Sequence, residues 1–95
     1  GEWDEAAEDI PRMRLCLRLK LEQHPQLQQQ LLDTGDAQLI EDCTARPHGS
    51  AKFWGAVLEH GQWVGRNVLG TLWMELRSEL ARVRWDPASS AAPSV

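Results

Sequence analysis

The chain has 95 residues, of which 42% are hydrophobic and 25% are charged, as expected for one globular domain rather than a disordered or multidomain protein. Ten basic residues against fourteen acidic ones give a net charge of −4, which argues against general affinity for a nucleic-acid backbone. No apolar run approaches membrane-spanning length, and the acidic N-terminus GEWDEAAED is unlike a signal or transit peptide, so a cytoplasmic protein is expected.

The first part of the chain predicts two helices with a break between them. Residues 12–22, RMRLCLRLKLE, alternate apolar and basic side chains as a strand does. Their residue types are strong helix formers and none is β-branched, which favours a helix. His24 and Pro25 end this segment, and Pro25 suits the first turn of a second helix that should end near Asp33. The short apolar run QLIED, residues 38–42, is of extended type.

The second part predicts a hairpin followed by the longest helix. FWGAVL at 53–58 and QWVG at 62–65 flank the turn EHG, which is typical of a bulged hairpin. From Asn67 onwards apolar residues recur at three- and four-residue spacing, which indicates an amphipathic helix with Asn67 as its N-cap. We expect a domain over 1–85 and a flexible tail over 86–95. The fold class is a small, mainly α domain of three or four helices with a short extended segment or hairpin.

Cysteine and histidine residues give no sign of a metal site. Cys16 and Cys43 lie far apart in sequence, and neither has a Cys or His at metal-ligand spacing. Both are expected to be small buried residues, and the three histidines fall in loop-like contexts. The sequence therefore predicts neither a metal nor a cofactor.

The stretch GQWVGRNVLG, residues 61–70, has three glycines but fits neither glycine-rich phosphate-loop pattern. Its glycines have a structural interpretation. Gly65 permits a turn, Asn67 caps the helix, and Gly70 lets another backbone approach the first helical turn. The start of this helix would also suit an anion.

Taken in order, three segments resemble the C-terminal half of the NADAR family. They are LLDTGDAQLIE at 31–41, FWGAVL at 53–58 and GRNVLGTLWMELR at 65–77, which match that family's TG…LxE, WG, GxNxLG and LMxxR elements. The resemblance extends from about Arg14 to Arg77. The family's N-terminal half, with a phenylalanine-rich opening and a glutamate-bearing helix, has no counterpart in the chain. Ala51 stands where many members carry an aspartate.

The resemblance implies a mostly helical N-glycosidase that cleaves the bond between ribose and a nitrogen base. Known substrates in the family are phosphorylated intermediates of riboflavin synthesis or ADP-ribose attached to guanine. The implied partner is therefore a small nucleotide or ADP-ribose-type ligand, or ADP-ribosylated guanine in nucleic acid, and not a membrane.

Family matches also suggest site residues. Cleavage of a ribosyl C–N bond needs a carboxylate to stabilise an oxocarbenium-like state or activate water, and Glu41 is the match for that role. The expected substrate-binding residues are Trp54, Gly55, Asn67, Thr34 and Gly35. Trp63 and Trp73 are expected to serve packing.

Two other hypotheses remain open. One is a non-catalytic module that binds an ADP-ribose-like ligand, a nucleotide or a partner protein through the region from Trp54 to Asn67. The other is a structural fragment that folds with the missing N-terminal segment or as a homodimer, since a large exposed apolar face rarely persists on a monomer.

Overall fold

The structure is a computed structural model that describes residues 8–83. Within that range the helices are α1 (Ile10–Gln23), α2 (Pro25–Asp33), α3 (Ala51–Trp54) and α4 (Val68–Val83), and the strands are β1 (Val57–Glu59) and β2 (Gln62–Val64). This arrangement confirms the predicted mainly α fold with a hairpin. The expected tail at 86–95 lies outside the described residues. No helix between residues 8 and 83 is long and apolar enough to cross a membrane.

The alternating segment near the N-terminus forms a helix, α1, as its residue types predict. Leu17 and Leu21, four residues apart, are buried, whereas Leu15 and Leu19 remain 55% and 44% exposed on the outer face. The core therefore takes only every second leucine of the run, in keeping with helical spacing. Cys16 is exposed, so its expected burial is wrong, because it lies on α1 away from the buried leucines.

A buried glutamine fixes the sharp turn between the first two helices. Gln28 in α2 is only 8% exposed, and its Nε2 donates a hydrogen bond of 2.7 Å to the carbonyl oxygen of Leu21. That carbonyl lies in the last turn of α1, where it also accepts a bond of 3.2 Å from the backbone N–H of His24. The bond satisfies the buried side-chain amide of Gln28 and holds α2 against the end of α1.

Three helices share one leucine core. Leucines of α1, α2 and α4 meet in it, namely Leu17, Leu21, Leu31, Leu72, Leu76 and Leu80. Trp73 packs half-buried against this cluster, which confirms its packing role. On the surface, Arg14 pairs with Glu75 at 3.1 Å and Arg18 pairs with Glu79. The arginine of the second pair lies four residues after the arginine of the first, and the same is true of the two glutamates. The helices α1 and α4 therefore run parallel.

The hairpin is shorter and tighter than the sequence suggests. Val57 pairs with Val64 and Glu59 with Gln62, which leaves only His60 and Gly61 in the turn. Their φ angles of 50° and 79° suit a two-residue turn with positive φ at both positions. The predicted bulged hairpin is therefore wrong, and FW of FWGAVL lies in α3 instead. Trp63 is 45% exposed, so its expected packing role is also wrong.

Replacement of a leucine in the shared core should reveal how much the domain depends on it. Leu80 is 0% exposed and belongs to the leucine core that α1, α2 and α4 share. Leu80→Ala should therefore lower the free energy of unfolding by about 2–5 kcal/mol. Leu19→Ala, on the outer face of α1, is the matched control and should cost less than about 1 kcal/mol. Urea unfolding followed by circular dichroism measures both, and equal losses would contradict this core.

Candidate functional site

The side chain of Asn67 attaches an extended segment to the start of α4. Its Oδ1 accepts a hydrogen bond of 2.9 Å from the backbone N–H of Glu41, and its Nδ2 donates one of 2.8 Å to the carbonyl oxygen of Leu39. Asn67 is 8% exposed and has a φ of 52°, a left-handed conformation that asparagine tolerates better than most residues. Its amide thus pairs with the 39–41 backbone much as a neighbouring strand would.

Asn67 also occupies the N-cap position predicted for it. Its carbonyl oxygen accepts a bond of 3.0 Å from the N–H of Thr71, which is the first hydrogen bond of α4. The side-chain oxygen, which often caps the helix itself, is instead committed to Glu41.

Backbone bonds hold the same segment on its other edge. The N–H of Ala56 donates to the carbonyl oxygen of Glu41 at 2.9 Å, and the N–H of Cys43 donates to the carbonyl oxygen of Ala56 at 2.9 Å. These bonds form a short parallel bridge between Asp42 and Ala56. The peptide groups on both sides of Glu41 are therefore fixed, while its side chain is exposed.

Gly65 and Gly70 make this arrangement possible in the ways the sequence predicts. A Cβ at Gly70 would overlap the carbonyl oxygen of Leu39 and the Asn67 amide, so only glycine allows that close approach. Gly65 has a φ of 145°, and a Cβ there would lie 2.5 Å from the carbonyl oxygen of Gly55. The glycine-rich stretch thus brings backbones together around Asn67.

Gly55 lies directly against the segment that carries Glu41. A Cβ at Gly55 would overlap the Glu41 carbonyl oxygen and lie 2.7 Å from the Cys43 Sγ. In an extended chain successive side chains point to opposite sides. Glu41 and Cys43 therefore share the side facing Gly55, and Asp42 points away.

Asp42 and Thr44 form a local hydrogen-bonded pair that sequence reasoning missed. The Asp42 Oδ1 accepts bonds from the Thr44 hydroxyl at 2.5 Å and from the Thr44 N–H at 2.9 Å, and these bonds lower the pKa of Asp42. The available signal was an aspartate two residues before a threonine, a common turn pattern. Burial raises the pKa of the Cys43 thiol, and the charges of Glu41 and Asp42 raise it further.

Trp54 immediately precedes Gly55 and is half-buried. Its indole meets the Phe53 ring edge-on at a centroid distance of 4.9 Å, and it packs against the leucine core. The Arg66 guanidinium lies 5.1 Å from the Phe53 ring centroid. Trp54 therefore joins the core to the neighbourhood of Glu41.

Thr34 and Gly35 lie away from Glu41, beside the part of α4 that contains Arg77. The Thr34 hydroxyl donates to the Leu31 carbonyl oxygen at 2.6 Å and accepts a bond of 2.8 Å from Arg77, which also donates to the Ala37 carbonyl oxygen at 2.8 Å. Arg77 follows Asn67 by ten residues, or about 15 Å of helix. The structure thus brings Glu41, Gly55 and Asn67 together and places Thr34 with Arg77, to which the sequence motif assigned no role.

No three His, Cys, Asp or Glu side chains between residues 8 and 83 are grouped so that they could hold a metal ion. What the described part does offer is an exposed carboxylate on a fixed backbone. Between residues 8 and 83, nothing forms a hydrogen bond or ion pair with the Glu41 carboxylate.

Residues 1–81 match the NADAR domain family. N-glycosidase YbiA of Escherichia coli (strain K12) is 39% identical over 79 residues, which cover 83% of this chain and 43% of that protein, and YbiA of Shigella flexneri gives the same figures. An N-glycosidase of Acanthamoeba polyphaga mimivirus is 39% identical over 70 residues, covering 65% of this chain and 38% of that protein. The chain spans less than half the length of these relatives. No solved structure matches it significantly.

Alkylation of the two cysteines should report on the charge of Glu41. Cys16 is exposed and should react with iodoacetamide first, whereas Cys43 should react slowly because its raised pKa leaves little thiolate near pH 8. Glu41→Gln removes one neighbouring negative charge, lowers the pKa of Cys43 and should speed its alkylation by roughly two- to fivefold. Glu22→Gln on α1 is the control. Mass spectrometry gives both rates, and an unchanged Cys43 rate in Glu41→Gln would contradict this geometry.

Proposed function

The chain belongs to the NADAR domain family, and from this premise we propose that it hydrolyses the bond between ribose and a nitrogen base in a nucleotide-like substrate. The matched relatives are named N-glycosidases, which supports this reaction class. We propose a phosphoribosylamino intermediate of riboflavin synthesis or ADP-ribosylated guanine as the substrate. Because both classes of substrate occur inside cells, we place the activity in the cytoplasm.

The observation that carries this proposal is the setting of Glu41. Its two peptide groups are bound by Asn67 on one edge and by Ala56 on the other, while its carboxylate is exposed. A catalytic group needs a fixed position relative to the reacting atoms, and a bound backbone supplies much of it.

The proposed reaction is a hydrolysis at C1′ of the ribose. The C1′–N bond breaks and its electron pair leaves with the base nitrogen, which takes a proton from solvent. Glu41 stabilises the positive charge that develops on the ribose ring and accepts a proton from the water whose oxygen bonds to C1′. The proton that Glu41 receives from the attacking water is then released to solvent, which returns the carboxylate to its starting state. Asp42 is held by Thr44 on the opposite side of the segment, so Glu41 is the carboxylate that faces Gly55.

Substrate contacts are proposed at the residues around Glu41. Trp54 would stack on the base or the ribose with the exposed part of its indole. Gly55 would let the ribose approach the backbone closely, and Asn67 would contribute mainly by holding Glu41 in place. Thr34 and Gly35, about 15 Å further along α4, would reach only a long ligand such as ADP-ribose.

A second candidate is a binding or interaction module without turnover. Leu15 and Leu19 on α1 and Leu58 and Trp63 on the hairpin are each between 44% and 55% exposed, which leaves apolar surface that a partner can cover. Buried Ala51 stands where many family members carry an aspartate. The exposed apolar side chains favour a protein partner such as a second copy of the chain, and Ala51 favours a site without turnover.

Replacement of the proposed catalytic carboxylate separates these candidates. The 95-residue chain is incubated with each substrate, and release of the ribose-containing product is followed by chromatography. Glu41→Gln should lower kcat by about 100-fold or more, because glutamine neither accepts a proton nor balances the developing charge. Glu22→Gln, an exposed glutamate of α1, is the matched control and should retain full activity.

Equal turnover by wild-type and Glu41→Gln protein would overturn the catalytic role of Glu41. Ligand binding without turnover in the wild-type protein would favour the second candidate. Circular dichroism of both variants shows whether any loss of activity comes from unfolding.

A further inference from the structure

A cleft of about 290 Å³ lies between the starting ends of α1 and α4. Ile10 at the beginning of α1 and Val68 and Leu72 at the beginning of α4 supply its apolar surface. The volume is near the lower end of the range for small-molecule sites. This cleft is separate from the contacts that hold Glu41, although Arg66 in its wall directly precedes Asn67.

Arg66 is fixed in this wall without an acidic partner. Its backbone N–H donates to the carbonyl oxygen of Lys52 at 2.7 Å, and its guanidinium lies 5.1 Å from the Phe53 ring centroid. No carboxylate between residues 8 and 83 pairs with this guanidinium. An arginine that rests on an aromatic ring keeps its donors available for a ligand.

Further polar groups line the same cleft. Thr71 is exposed and presents a hydroxyl, and Arg14 reaches in from α1. Arg14 pairs with Glu75 at 3.1 Å, but side-chain exposures of 44% and 52% make this a weak pair that a stronger anion can displace. Because α1 and α4 are parallel, the positive ends of both helix dipoles also lie at this end.

We propose that this cleft binds the phosphate group of a phosphorylated sugar or nucleotide. Arg66 would form a bidentate contact with two phosphate oxygens, Thr71 would donate its hydroxyl, and Arg14 would turn from Glu75 to the phosphate. The three apolar residues would contact the sugar or base. The proposal rests on the proposed function for the nature of the ligand, since an N-glycosidase of nucleotides must hold phosphate away from the bond it cleaves.

The proposal is tested by NMR titration of the labelled 95-residue chain with ribose 5-phosphate, ribose and inorganic phosphate. Ribose 5-phosphate should shift the amide signals of Val68, Thr71 and Leu72 in a saturable way, and ribose should not. Arg66→Gln should weaken this binding by about tenfold or more, as expected for loss of a charge-assisted contact. Arg82→Gln, in the last turn of α4, is the matched control and should bind normally.

Glu75→Gln should change the affinity for ribose 5-phosphate in the opposite direction from Arg66→Gln. It removes a negative charge from the cleft and frees Arg14, so the affinity for ribose 5-phosphate should rise. If inorganic phosphate binds as tightly as ribose 5-phosphate, the cleft recognises the phosphate group alone. If inorganic phosphate binds more weakly, the sugar also contributes contacts. Both results support the site. Absent cleft shifts, equal shifts with ribose, or equal weakening by Arg66→Gln and Arg82→Gln would overturn it.

Failure of this proposal can be told apart from failure of the catalytic one. Glu41→Gln should lower turnover by about 100-fold or more while leaving ribose 5-phosphate binding intact, and Arg66→Gln should weaken binding of phosphorylated ligands only. Phosphate binding in a chain without turnover would leave the cleft proposal standing and remove the hydrolysis. Turnover without shifts of the cleft amide signals would leave the hydrolysis standing and remove the cleft proposal.

Discussion

The side-chain amide of Asn67 holds the backbone of the candidate site in place through two hydrogen bonds. With one acceptor and one donor it binds the Glu41 N–H and the Leu39 carbonyl oxygen, at 2.9 and 2.8 Å, in a nearly buried setting. An unpaired buried amide costs about 1–3 kcal/mol, so these bonds and the burial of Asn67 depend on one another. Gly70 must lack a side chain for the same contact to form.

Helix α4 organises the segment that connects α2 to the rest of the chain. At its start Asn67 binds the backbone at 39 and 41, and three turns later Arg77 binds Thr34 and the Ala37 carbonyl oxygen. Side chains of one helix thus take the place of a neighbouring strand along an extended stretch of backbone. The core side of α4 meanwhile packs Leu72, Leu76 and Leu80, so the position of Glu41 is tied to the main core.

Local signals predicted the three long helices and the presence of a hairpin, but not the short helix α3. Pro25 marked the start of α2, the leucine spacing marked α4, and Gly65 and Gly70 had the roles that turn geometry and close backbone approach require. Predictions failed where exposure depends on distant partners. Cys16 and Trp63 lie on outer faces that no local pattern distinguishes from inner ones.

The site itself could be predicted only in part. A family match pointed to Glu41, Gly55 and Asn67, and the structure places them in contact. The bond between Asn67 and Glu41 joins residues 26 positions apart through a side chain and a backbone, and sequence periodicity carries no information on such a pair. Arg77 was visible as part of a motif, yet its partners, Thr34 and Ala37, are about 40 residues away.

The central claim is that Asn67 holds the backbone of Glu41, and amide hydrogen exchange of the Glu41 N–H tests it most directly. In the wild-type chain this amide should be protected although its residue is exposed, and Asn67→Ala should speed its exchange by about tenfold or more, the worth of one hydrogen bond. Asn67→Asp keeps the acceptor and should preserve more of the protection, and the Cys43 amide, bound to Ala56, serves as the internal control. An unprotected Glu41 amide in the wild-type chain, or equal exchange in all three proteins, would contradict the account.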